Sequence, residues 1–468
     1  MAQSLNELTN QAQLLKAQGR IGEAIDMFKA MFEANPNNVA VMHNYAAMLG
    51  DAGDNRTAIK ILDGAFRMGL NAPESWLVYA RALAGVQEFE KAEKAFVVLL
   101  SLKPLDHEAH REFAQLIWMQ TGDREKAIAR LNRAIEVNPD TAGLHVARAQ
   151  VFGQTGDREA EYTVMREIAD RSADPYLDYH ACNSALLAGA YDQALVYGEK
   201  AAAALRENNG AVAAYCQALL AVGDAKGAGI VANYLRQRDP FNQLFIALEA
   251  TGWRMTDDER YHAIYDFDGF IHAEELSTPE GWGSLDAYLD DLCGALDEAH
   301  QYKSHPFFQS VRGGSQISSI NGADNRAMRA FGEAADGPVR AYIDKIGSGS
   351  DPLRSRNIGN YRMFSCWSIL LPPNGYHVNH VHPQGWLSSA CHLRACTPDS
   401  ENERAGWLKF GEPGVQTNPD LPAERYIQPK RGVMVVFPSY MWHGTMDFHQ
   451  GGSRLTIAAD LTPAPKAP

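Results

Sequence analysis

"GDREKAIARLNRAIEVNP", Gly122 to Pro139, recurs in altered spelling along the first half of the chain. "GRIGEAIDMFKAMFEANP" (Gly19 to Pro36) and "GDNRTAIKILDGAFRMGL" (Gly53 to Leu70) keep its order: a glycine, Ala-Ile five residues on, an apolar residue four later, and a small or apolar one three after that. The alanine returns at Ala24, Ala58, Ala92, Ala127, Ala194 and Ala228, the first four separated by 34, 34 and 35 residues. Between Ala127 and Ala194 there is room for one more unit, "GDREAEYTVMREIADRSADP", with Glu161 where the alanine belongs. About seven units of this period predict stacked helix-turn-helix pairs. Small residues fall where antiparallel helices touch, and proline stops the second helix of a pair.

These units resemble tetratricopeptide repeats, over roughly half the chain. The resemblance implies an α-solenoid, here placed at residues 1–250, whose extended concave face binds a protein or peptide. Composition is that of an ordinary globular protein, with 46% hydrophobic and 21% charged residues. A formal net charge of -14 argues against nucleic acid or an anionic membrane as partner, since both select basic surfaces. No run of about 18 apolar residues predicts a membrane span, and the N-terminus lacks the apolar core of a signal peptide. The six cysteines are scattered without a CxxC pair, so neither a zinc ribbon nor a disulfide framework is expected, and a reducing cytoplasm is the simplest location.

Near "ATGWRMTDDER" (Ala250 to Arg260) the period ends, and a second domain is expected over 257–468. Its lead-in, 257–350, includes "DDERYHAIYDFDGFIHAEEL" and "LDAYLDDLCGALDEAH", both with helical spacing. Over 361–462 the pattern becomes strand-like: "YRMFSCWSILL", "WLSSACHLRA", "WLKF", "GVMVVFPS" and "RLTIAADLT", separated by turn-formers such as "PPNG", "GEPG", "NPDLP", "PKRG" and "HQGG". Short strands between such turns predict an antiparallel sandwich or barrel. The fold class is therefore α + β multidomain: helical repeats, then a β-core with flanking helices.

Within that core lies "GYHVNHVHPQGW" (Gly375 to Trp386). Period-2 alternation at a strand end would turn His380 and His382 to one face. Histidine is the commonest metal ligand, and two ligands need a third from elsewhere. His443 follows a buried-strand pattern 61 residues after His382, and Arg454 opens the next strand 11 residues later. His377 falls off the alternation and is expected in solvent or supporting the ligands. His392 reads as a packed histidine and His449 as an exposed turn residue. His43, His107 and His145 read as ordinary surface or core residues. Trp367, Trp386, Trp407 and Trp442 read as core or pocket wall, and Cys366, Cys391 and Cys396 as small buried residues. Neither a G-x-S-x-G elbow nor a phosphate-binding loop is present.

The segments "CWSILLPPNGYHVNHVHPQGWLSSACHL", "GWLKFGEP", "PKRGVMVVFPSYMWHGT" and "RLTIAADL" resemble 2-oxoglutarate/iron(II)-dependent oxygenases of the prolyl-hydroxylase-like branch, in particular a bacterial and phage group often fused to tetratricopeptide repeats. "VRGGSQISSI" (Val311 to Ile320) fits the same group. The resemblance implies a double-stranded β-helix (jelly roll) with Fe(II) as cofactor and 2-oxoglutarate and dioxygen as cosubstrates. His380, His382 and His443 would hold the metal, and Arg454 and Thr456 the distal carboxylate of 2-oxoglutarate. One departure matters. His382 stands where the superfamily usually carries Asp or Glu, so three imidazoles would leave the site one negative charge short. Asp399, Asp447 and Asp460 are candidates to restore it. Two other readings stay open: a cupin-like metal enzyme that does not use 2-oxoglutarate, and a non-catalytic repeat scaffold with a degenerate oxygenase domain.

Overall fold

In the computed structural model, which describes residues 5–17, 20–318, 320, 325–396 and 402–465, the chain divides between Arg148 and Ala149 into two compact units. The N-terminal unit is built from helical repeats. The recurring "GD" dipeptide explains its turns. Gly53 and Gly122 adopt φ of 89° and 67°, a left-handed conformation that costs glycine nothing. The following aspartates cap the next helix, Asp54 accepting the backbone N–H of Thr57 and Asp123 that of Lys126. Gly156–Asp157 and Gly223–Asp224 repeat the device in the second unit, capping Ala160 and Gly227. Between caps, the periodic alanines do the packing: Ala24, Ala58, Ala92, Ala127, Ala194 and Ala228 are all buried. Tetratricopeptide-like helices thus run to Met255, the last being Gln243–Met255.

The second unit joins the later repeats to an antiparallel β-core. Its strands are β1 (His272–Glu275), β2 (Val311–Arg312), β3 (Ser315–Ser318), β4 (Tyr361–Leu371), β5 (Tyr376–His377), β6 (Leu387–Arg394), β7 (Leu408–Phe410), β8 (Arg425–Ile427), β9 (Val433–Pro438), β10 (His443–Thr445) and β11 (Arg454–Pro463). One sheet has the order β1-β9-β6-β11-β4-β3; β10-β7-β8 and β2-β5 form smaller sheets. This antiparallel core is consistent with a jelly roll. Strands β4, β6, β7 and β9 fall within four of the segments whose composition predicts them, and β11 outruns the fifth by one residue, Pro463. The helical expectation for "DDERYHAIYDFDGFIHAEEL" holds only in part. Two short helices, Arg260–Ile264 and Phe267–Phe270, end before β1, which pairs with β9 in the register His272↔Val436. The alternating intermediate and exposed residues of His272–Glu275 are those of a sheet-edge strand.

The last repeat helix is bonded into the β-core. The Trp442 indole N–H donates to Thr251 Oγ1 at 2.9 Å, both residues being buried. Arg254 donates to the carbonyl of Gly411 at 2.9 Å and pairs with Glu424 at 3.3 Å. Tyr265 donates to the Tyr440 carbonyl, and Tyr440 to that of Ile264.

Glu161 replaces the repeat alanine yet stays 8% exposed. Its room comes from Gly153, where a Cβ would collide with the carboxylate. Burial pushes its pKa up to about 7, and Oε2 has no hydrogen-bond partner. A carboxyl group whose folded pKa is raised costs stability as pH rises from its unfolded value to its folded one. The cost should be on the order of 1 kcal/mol per pH unit between about 4.5 and 7. Glu161→Gln should flatten that slope in urea unfolding followed by circular dichroism across this pH range. Separately, a chain beginning at Ala149 should unfold cooperatively, whereas one beginning at Thr256 loses Thr251 and Arg254 and should be insoluble or non-cooperative in the same assay.

Candidate metal centre

His380 and His443 face each other across a single two-bond bridge. The His380 N–H donates to the His443 carbonyl at 2.9 Å, and the His443 N–H returns the bond at 3.1 Å. Directly opposed residues of this kind project their side chains to one side, and the two rings lie 4.2 Å apart, centre to centre. His382 is tied to the same segment by its N–H to the Ser439 carbonyl at 3.0 Å. Its ring lies 5.0 Å from that of His380 and 5.2 Å from that of His443. Gly444 keeps this approach possible, since a Cβ there would strike Asn379 Oδ1.

Each ring has its Nδ1 engaged. His380 Nδ1–H donates to the Val378 carbonyl at 2.8 Å, and His443 Nδ1–H to that of Met441 at 2.9 Å. His382 Nδ1 bonds Asp460 Oδ2 at 2.8 Å. Partners of this type fix ring orientation and leave Nε2 as the free donor atom. One ligand nitrogen from each ring lies within 4.8 Å of the other two. Burial, followed by the neighbouring imidazoles, holds His443 well below the usual histidine range, and burial pushes His380 down to about 3. Both are therefore neutral and competent to bind a metal at physiological pH.

The carboxylates resolve differently. Asp460 is buried and also accepts Ser388 Oγ at 2.7 Å, which in turn bonds Ser439 Oγ at 2.9 Å. Asp447 is exposed on a different cleft, and Asp399 lies outside the described residues. Asp460 thus touches the cluster through His382. The 78 residues between them leave no local signal of the pairing.

Arg454 and Thr456 line the same cavity as the three histidines, a space of about 40 Å³. Arg454 is 1% exposed, and its guanidinium makes no hydrogen bond or ion pair among the described residues. Burial lowers its pKa to about 10. Thr456 Oγ1 is also buried without a partner. An unpaired buried cation costs several kcal/mol. Trp367 stacks on His382 at 5.6 Å, and Phe437 meets His443 edge-on at 4.6 Å. His377 bonds Ser310 Oγ through Nδ1 and stacks beside His380 at 6.0 Å. His392 is fully buried, as its strand position suggests, with both ring nitrogens unpartnered, and His449 is exposed.

Residues 365–460 match the family model described as "Putative 2OG-Fe(II) oxygenase". No curated protein matches the chain. Among solved structures, a tetratricopeptide repeat protein from Parabacteroides merdae ATCC 43184 is similar at 17% identity and a TM-score of 0.37, over 53% of this chain and 98% of that one. The type IV pilus biogenesis factor PilW is similar at 17% identity and a TM-score of 0.33, over 43% of this chain and 94% of that one. The oxygenase-family match spans β4 to β11 and contains the histidine cluster and Arg454. The three-imidazole cluster is compatible with iron.

If Asp460 tunes His382, Asp460→Asn should weaken divalent-metal binding about 10- to 100-fold, the range for lost partners of metal ligands. Isothermal titration of the protein with a divalent ion measures it. Unchanged affinity would show that His382 needs no anionic partner.

Proposed function

We propose that the jelly-roll part of the chain is a non-haem iron(II)- and 2-oxoglutarate-dependent dioxygenase, hydroxylating a protein or other substrate recruited by the repeats. The observation that carries this reading is the unpaired, fully buried Arg454 in one cavity with three converging imidazoles. In this reading His380, His382 and His443 hold iron. Bound iron(II) supplies open positions for the keto acid and dioxygen, so that substrate C–H, O₂ and 2-oxoglutarate give C–OH, succinate and CO₂.

The residues of the chain account for the rest. Arg454 offers a planar fork to the distal carboxylate of 2-oxoglutarate, and Thr456 adds a hydroxyl donor beside it. The apolar walls from Ile369, Leu408 and Phe437 limit water around the reacting atoms. Asp460, bonded to His382 Nδ1, brings a negative charge next to the metal position in place of the carboxylate that His382 displaces. A cupin-like enzyme without 2-oxoglutarate is favoured by the all-histidine ligand set. The vacant guanidinium of Arg454 weighs against it, because such an enzyme gives that cation no occupant.

Anaerobic addition of iron(II) and 2-oxoglutarate should produce the visible charge-transfer band of a keto acid chelated to iron. His380→Ala and His443→Ala should abolish the band. Arg454→Ala should raise the 2-oxoglutarate concentration needed for it at least 100-fold while metal binding persists. Metal binding without a band in the wild-type protein would reject the reading in favour of the cupin-like one.

A further inference from the structure

Beyond the metal cavity, the second unit holds a cleft of about 790 Å³. The two spaces share His377 and Thr445, so the cleft adjoins the cavity of the histidine cluster. One wall comes from the repeats: Arg158, the end of the helix Pro175–Ala188, Tyr191 and Gln217. The opposite wall is the β2–β5 pair, with Arg312 across from Tyr376 and Val311 across from His377. Lys409 and the residues 412–416 also line it, and Tyr191 O–H donates to Gln416 Oε1 at 3.2 Å.

The charges of this lining are unbalanced. Lys409 is paired with Glu412 at 2.7 Å. Arg312 is half-buried and spends one amino group on the carbonyls of Gln309 and Val311, at 2.5 and 2.7 Å. No carboxylate lies within ion-pair distance of it among the described residues, nor of Arg158, which lines the same cleft. Asp447 is the remaining acid of the lining and stands exposed. Arg158, which also donates to the Leu187 carbonyl at 3.5 Å, and Arg312 thus line the cleft beside the histidine cluster in a chain whose net charge is -14.

We propose that this cleft is the substrate channel and that it takes an acidic peptide segment, whose carboxylate is held by Arg312 with Arg158 supporting it. The proposal rests on the oxygenase reading for what happens to the substrate, but its binding chemistry does not. Arg312 sits one register position from His377, whose ring stacks beside ligand His380. An anion there would set which neighbouring substrate carbon faces the metal position. The repeats act as one wall of the site and select the sequence that enters it.

The full-length protein should be titrated with a fluorescein-labelled nonapeptide of alternating Glu and Ala, its Gln-for-Glu counterpart, and N-acetylglutamate amide. The Glu peptide should bind at least tenfold more tightly than the Gln peptide, and Arg312→Gln should erase that preference. Arg312→Lys should recover part of it, and Arg158→Gln, at an exposed position that does not endanger folding, should reduce it about threefold. Equal binding of the two peptides, binding of neither, or a preference unaffected by Arg312→Gln and Arg158→Gln would overturn the proposal. N-acetylglutamate amide binding as tightly as the peptide would overturn its peptide component. Arg454→Ala, titrated with 2-oxoglutarate in parallel, reports on the oxygenase reading alone, so the two failures are distinguishable.

Discussion

The paired backbone hydrogen bonds between His380 and His443 are the constraint on which the site depends. They join the segment after β5 to the start of β10 at one point, and both residues of that point are candidate ligands. His382 is placed two residues on by its own bond to Ser439. All three ring positions are thus referred to a single stretch, Ser439 to His443, whose other contacts are buried. Those backbone bonds fix the points from which the three rings project.

The second unit also holds polar groups that a stable core would avoid. Arg454 Nε, Thr456 Oγ1 and both nitrogens of His392 are buried and unpaired, and Thr456 lies opposite His392 in the β11–β6 register. A sheet whose backbone bonds are satisfied carries such a cluster at a cost of about 1–3 kcal/mol per group. Arg454 and Thr456 line the same small cavity as the three histidines. An anionic cosubstrate would neutralise Arg454 and satisfy Thr456 together.

The repeats were legible because their physics is local: a left-handed glycine, an aspartate cap and a buried alanine recur within each unit of about 34 residues. The long strands were legible through their β-branched and apolar runs. β1 was not, since four residues reading His-Ala-Glu-Glu take their strand state from β9 rather than from their own preference. The histidines illustrate a different limit. Alternation along a strand predicted that His380 and His382 would converge, and they do, but β5 ends at His377 and no strand continues through them. Backbone bonding of His380 to His443 and of His382 to Ser439 places the two rings instead. Asp460 could be named from the sequence as a candidate, yet its choice over Asp447 depends on β11 bringing residue 460 beside residue 382. Glu161 breaks the alanine pattern, and only the tertiary contact with Gly153 explains how the helix tolerates it.

The end of the repeat period also conceals where packing continues. Helix Gln243–Met255 is the last periodic element, and Thr251 on it receives the indole N–H of Trp442, the residue before the candidate ligand His443. Tyr265, just beyond that helix, accepts the backbone N–H of Trp442 at 3.2 Å while donating to the Tyr440 carbonyl. The segment that sets the histidine geometry is therefore gripped from outside the β-core by residues contiguous with the repeats. Any shift of that helix would move Trp442 and, through one peptide unit, the His443 ring. Sub-ångström errors in ligand placement matter at a metal site. The later repeats thus belong to the structural support of the histidine cluster as much as to any surface that recruits a partner.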